Sequence, residues 1–129
     1  MRRILRQPPF WIVAVVIWFG VLWWLSSRSN IFPPDREFQA NDKVLHFGYF
    51  FGGGILLSGL LHRLGTDPPR WRRIFLLTLA IGSFVGALDE HHQSYVPGRS
   101  AHDPADFTAD VLGIICGAWI FRKTHRLIA

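Results

Sequence analysis

Asp89-Glu90-His91-His92-Gln93 sets two carboxylates, two imidazoles and an amide directly after residues 74–88, an almost uninterrupted apolar run. Carboxylates and imidazoles in one place can transfer protons, hold a cation, or grip a polar headgroup. Their position is the surprise. A charge inside a bilayer costs roughly 2.5–3.5 kcal/mol at a helix centre and less toward an end. A cluster at the end of an apolar helix therefore needs either water or partners from other helices.

Such partners exist at matching places. Asp42 and His46, with Lys43 beside them, open the second apolar run, and Asp106 and Asp110 open the fourth. Asp89 and Gln93, with Glu90 beside them, close the third. Residues four apart project from one helix face, so three inward faces would build one polar pocket. Its members would be Asp42, Lys43, His46, Asp89, Glu90, Gln93, Asp106 and Asp110, with Arg99 reaching over from the loop before the fourth run. Arg99 and Lys43 suit an anionic group. His46 suits a general acid or base, tuned by Asp89, Glu90 or Asp110.

Plainer roles compete for several of these residues. Asp42 and Asp106 fall in first helical turns, where a carboxylate favours the helix N-terminus. Lys43 can extend its ammonium to water. His91 and His92 cannot both share the face of Asp89 and Gln93, so both read as bystanders, and His102 reads as a solvated loop residue. His46 and Asp110 resist such readings best, because each lies about one turn inside its helix, where an unpaired polar group is costly. His46 with Asp89, Glu90, Asp106 and Asp110 supplies the nitrogen and oxygen donors of a divalent-metal site. No HExxH or comparable ligand motif is present, so the expectation is no metal and no cofactor. Cys116, the single cysteine, reads as a small packing residue.

The elements that must position these side chains are membrane helices. Of 129 residues, half are hydrophobic and 18% charged, which does not fit a soluble domain of this size. Four apolar runs cover residues 10–25, 44–61, 74–88 and 107–121. With their polar ends they predict helices over about 10–26, 42–62, 72–93 and 105–122 in one membrane domain. Asn41 or Asp42 should begin the second helix, with Asn41 as its N-cap, and Asp103-Pro104 should cap the fourth. Gly48-x-x-x-Gly52 should let another helix approach, as should Gly82/Gly86 and Gly113/Gly117. The first run follows Arg2, Arg3 and Arg6 but lacks a small-x-small cleavage site, so it reads as a retained anchor.

Charge sets the expected orientation. Ten of the fourteen basic residues flank the chain ends or lie between the second and third runs. Eight of the nine acidic residues fall on the other side. By the positive-inside rule both termini should be cytoplasmic and the polar pocket should face outward. The basic surplus is thus a topology signal and a contact for anionic membrane lipids, not a nucleic-acid footprint. The fold class expected is an all-α, up-down bundle of four transmembrane helices.

Three motifs in order, Asp42-Lys43-x-x-His46-Phe47-x-Tyr49-Phe50, Asp89-Glu90-x-x-Gln93-x-x-x-Pro97-Gly98-Arg99-Ser100, and Asp106-x-x-Ala109-Asp110-x-x-Gly113, resemble the VanZ-like family of small bacterial membrane proteins. The resemblance covers residues about 42–117. Asp110 stands where that family often has Asn. The resemblance implies a multi-pass protein of the bacterial cytoplasmic membrane acting in the cell envelope. The family's founding member is linked to low-level resistance to the glycopeptide teicoplanin. Two functions follow as expectations: a non-catalytic binder of a glycopeptide or lipid-linked envelope component, or a membrane enzyme using acid–base chemistry on a lipid-linked or phospholipid headgroup.

Overall fold

A computed structural model describes residues 2–28, 36–98 and 103–127, apart from the side chains of residues 2 and 36–41. Arg99 and His102 lie outside the described residues. The described chain is helical, with no strand. A short helix, α1 (Arg2–Leu5), precedes α2 (Pro8–Ser26), α3 (Arg36–Leu64), α4 (Trp71–Gln93) and α5 (Pro104–Thr124), and a 3-10 turn (His125–Leu127) follows. Four segments are long and apolar enough to cross a membrane: Pro8–Ser26, Asp42–Leu64, Trp71–Gln93 and Pro104–Leu127. Val13, Val16, Phe84 and other large apolar side chains point out of the bundle. That is the expected surface for lipid contact, since lipid tails do not penalise exposed Val or Phe.

Helix boundaries follow local chemistry. Pro at the start of α2 and Pro104 at the start of α5 sit where a missing N–H costs nothing. Asp103 caps α5 as expected, its carboxylate accepting from the Ala105 amide at 2.8 Å. The start of α3 differs from the expectation at Asn41. The helix already runs from Arg36, because Arg36-Glu37-Phe38-Gln39-Ala40 contains no breaker and mostly good helix formers. Asn41 is therefore an interior residue rather than a cap.

α3 and α5 run parallel and make the most extensive contact in the bundle. Glycines make this possible. A Cβ on Gly113 would stand 2.5 Å from the Phe47 carbonyl oxygen and 2.8 Å from the Phe51 amide nitrogen. Gly117 abuts the Phe51 carbonyl and Gly54 abuts the Ile114 backbone in the same way. The two backbones thus touch directly, the close approach that small residues permit in membrane helices. Gly82 and Gly86 on α4 face Ile114 and Asp110. The expectation for Gly48 and Gly52 is not met, because a Cβ added to either would meet no atom within 4 Å. Their spacing is right for helix contact, but their face points away from the partner. Gly54, on another face of α3, takes that role.

The remaining helices lock on through aromatic and polar contacts. Trp11 and Trp18 of α2 lie over Gly59 and Gly53 of α3. Trp18 donates its indole N–H to the Tyr49 carbonyl at 3.2 Å, and the Tyr49 hydroxyl donates back to the Trp18 carbonyl. Toward the α3–α4 loop, buried Ser58 and Thr78 join α3 to α4 at 3.1 Å. The core around Phe50, Leu57, Val85 and Ile114 is apolar. The bundle therefore has two distinct ends: a basic end at the loop between α3 and α4, and a polar end where α3 and α5 begin and α4 finishes.

Candidate functional site

The polar end is built on the glycine contact between α3 and α5. Lys43 and His46 are three apart on α3, and Asp106 and Asp110 are four apart on α5, so each pair occupies one face. Because the helices run parallel and their backbones touch one turn farther along, the pairs meet as two rungs. The Lys43 ammonium donates to Asp106 Oδ1 at 3.0 Å and to Asp103 Oδ2 at 3.2 Å. The His46 Nδ1–H donates to Asp110 Oδ1 at 2.9 Å. A carboxylate on a side chain as short as aspartate reaches the imidazole only because Gly113 and Gly117 hold the backbones together.

The rungs differ in their surroundings. Asp110 is fully buried and His46 is 9% exposed, whereas the Lys43 side chain is 38% exposed. Lys43 thus keeps access to the boundary while Asp110 sits inside. Asp103 lies just outside the span. The Ala105 amide and then the Lys43 ammonium hold its carboxyl below the usual carboxylate range.

α4 closes the third side. Glu90 accepts from the Asp103 amide at 3.0 Å through Oε2. Asp89 accepts from the Gln93 side chain at 2.7 Å, so this i,i+4 pair is joined within its own helix rather than across to His46. Glu90, Asp89 and Gln93 are all buried. Three carboxylate oxygens, Asp89 Oδ1, Glu90 Oε1 and Asp110 Oδ2, are buried with no hydrogen-bond partner among the described residues. Buried polar atoms are almost always paired, so three orphans at one end of one bundle mark a place with spare accepting capacity.

Most residues singled out by spacing converge at this end. His46, Asp110, Lys43 and Asp106 meet across α3 and α5, and Glu90 joins them through Asp103. Asp42 stands close by, with one carboxylate oxygen within 4.8 Å of ligand atoms on His46 and Asp106. Arg99 is outside the described residues. His91 is exposed and pairs with Tyr95. His92 stacks on Trp23 with ring centroids 4.0 Å apart and bonds the Ser27 hydroxyl at 2.9 Å. Neither histidine faces the rungs. Asp103 is the member that spacing did not single out. Its capping role is readable from Asp103-Pro104, but its second oxygen and its amide tie Lys43 to Glu90. The only signal for this was its nearness to Asp106.

The family model described as VanZ/LLP1 matches residues 8–128 of this chain. No curated protein and no solved structure matches it significantly.

Proposed function

We propose that this chain, which belongs to the VanZ/LLP1 family, is a multi-pass membrane protein that binds an envelope component at its polar end. The candidate ligands are a glycopeptide such as teicoplanin or the polar head of a lipid-linked cell-wall intermediate. The observation that carries this reading is the set of three orphaned carboxylate oxygens beside the His46–Asp110 and Lys43–Asp106 rungs. Spare acceptors call for a ligand rich in N–H and O–H donors, which amines and sugars supply. Lys43 would meet any anionic part of the same ligand.

The orientation belongs to this proposal. Both termini and the basic end face the cytoplasm of a bacterial inner membrane, and the polar end faces outward, by the distribution of Lys and Arg. Cysteine labelling of Ser29→Cys and Thr124→Cys in a Cys116→Ser background tests it. Outside labelling of position 29 alone supports it, and outside labelling of position 124 in intact cells overturns it.

The binding test uses teicoplanin itself. Cells expressing the chain should tolerate more teicoplanin than vector controls, and Lys43→Met or Asp106→Asn at equal expression should reduce the difference. Susceptibility identical to the vector, together with no binding of either teicoplanin or a lipid-linked intermediate to the protein in nanodiscs, rejects the reading.

The buried His46–Asp110 hydrogen bond favours a second reading, acid–base catalysis on a lipid-linked or phospholipid headgroup, with Asp110 fixing the imidazole tautomer. His46→Gln separates the two. Full function with unchanged expression excludes proton transfer by His46, whereas loss of turnover with ligand binding intact supports catalysis.

A further inference from the structure

We propose that Asp42, His46 and Asp106 form a divalent-cation site of the zinc or manganese class at the polar end of the bundle, with Asp110 as the residue that orients His46. One ligand atom from each of the three lies within 4.8 Å of the others. A first-row cation sits about 2.0–2.2 Å from such nitrogen and oxygen donors, which sets the ligands roughly 3–4 Å apart. The set is therefore within about an ångström of closing around an ion. The spacing explains why: Asp42 and His46 are four apart on α3, and parallel α5 brings Asp106 alongside. One imidazole with two carboxylates suits zinc or manganese better than it suits calcium or magnesium.

Independent observations point to an occupant. His46 is 9% exposed, and its Nδ1 is taken by Asp110. With Nδ1–H given to Asp110, Nε2, which has no hydrogen-bond partner among the described residues, is the ring nitrogen left to bind an ion that displaces its proton. A histidine that donates one ring N–H to a carboxylate and offers the other nitrogen is the usual second layer of a metal site. Glu90, 5% exposed, also carries a buried unpartnered oxygen at this end of the bundle, with His46, Asp106 and Asp110 among its charged neighbours. Among the described residues, Asp42, Glu90, Asp103, Asp106 and Asp110 gather around a single lysine and a single histidine. Acid in such excess at a membrane boundary is costly without further positive charge. A metal here runs against the expectation of none, which rested on the lack of a contiguous ligand motif. The ligands come from two helices, so no contiguous motif is needed.

Lys43 is the competitor. Its ammonium holds Asp106 Oδ1, so ion and lysine compete for that carboxylate. Removing the lysine should strengthen ion binding.

The test needs no envelope ligand, so it stands or falls separately from the binding function above. Purified protein in detergent micelles is stripped with chelator, then titrated with Mn2+ by electron paramagnetic resonance and with Zn2+ by calorimetry. The expected result is one ion per chain. Asp42→Asn and Asp106→Asn should each weaken binding at least tenfold. Asp110→Asn should weaken it about 10–100-fold, as loss of an orienting partner does, and Lys43→Met should tighten it. Asp67→Asn, at the basic end, should leave it unchanged. Asp42 makes no hydrogen bond among the described residues, so Asp42→Asn stays informative even if a buried variant fails to fold. Absence of a stoichiometric ion, or binding indifferent to Asp42→Asn, overturns the proposal.

Discussion

Replacing Gly113 by alanine should unfasten the polar site from below, without touching any polar residue. The added Cβ would stand 2.5 Å from the Phe47 carbonyl oxygen and 2.8 Å from the Phe51 nitrogen, and ordinary contact begins near 3.4 Å. Both obstacles are backbone, so no side chain can swing aside. α3 must retreat by about 0.9 Å relative to α5. The His46–Asp110 hydrogen bond, one turn away at 2.9 Å, would stretch to about 3.8 Å if the helices part as rigid bodies, beyond hydrogen-bonding range. Overpacking costs about 1–3 kcal/mol, and loss of a hydrogen bond to a charged group adds about 1.5–3 kcal/mol. Alanine's better helix propensity returns about 1 kcal/mol. The net expectation is a destabilisation of about 1.5–5 kcal/mol. Gly48→Ala is the matched control. Nothing lies within 4 Å of its Cβ position, so the same substitution should be neutral or stabilising by up to about 1 kcal/mol. Unfolding in mixed micelles of increasing SDS fraction, followed by far-UV circular dichroism, measures both. If Gly113→Ala is as stable as Gly48→Ala, the backbones of α3 and α5 are not in contact and the rungs lose their support.

Other substitutions test separate parts of the fold. Asp103→Ala should cost about 1 kcal/mol as a lost helix cap. Because the folded-state Asp103 carboxyl titrates below its ordinary value, its contribution is complete above about pH 4. It fades as pH falls through the folded-state value, so wild type and variant should differ equally at neutral and mildly acidic pH and converge only in strong acid. A difference that grows with acidification would have the wrong sign. Ser58→Ala removes the 3.1 Å link to Thr78 and should cost only about 0.6 kcal/mol, the average for interhelical hydrogen bonds in membranes. A loss of several kcal/mol there would mean that Ser58 does more than join α3 to α4.

The four spans are legible in the sequence because burial in lipid demands long apolar runs, and composition alone shows these. The polar residues are legible too, since a carboxylate pair four apart at the end of an apolar helix is costly unless it meets partners. Which partners it meets is not legible. Whether Asp106 meets Lys43 or His46 depends on the register of α3 against α5, and that register is set by Gly54, Gly113 and Gly117. Spacing marks Gly48 and Gly52 as equally good candidates, because it cannot tell which face of α3 carries the partner. Asp89 and Gln93 show the converse. Their spacing suggests a shared inward face, yet the same spacing lets them satisfy each other within α4. Asp103 carries two roles through one carboxylate and its own amide, and only the capping role has a local signature. The early start of α3 at Arg36 is a matter of missing breakers, which is a weaker signal than the Asn41-Asp42 cap pattern.

The central claim is that α3 and α5 meet through paired polar rungs, the inner one being His46–Asp110. A double-mutant cycle in micelles measures it most directly, comparing the unfolding free energies of wild type, His46→Ala, Asp110→Ala and the double variant. Buried at 2.9 Å, the pair should show a coupling energy of about 1.5–3 kcal/mol, with the double variant less destabilised than the two single changes predict together. Additive effects, with no coupling beyond about 0.5 kcal/mol, would contradict it.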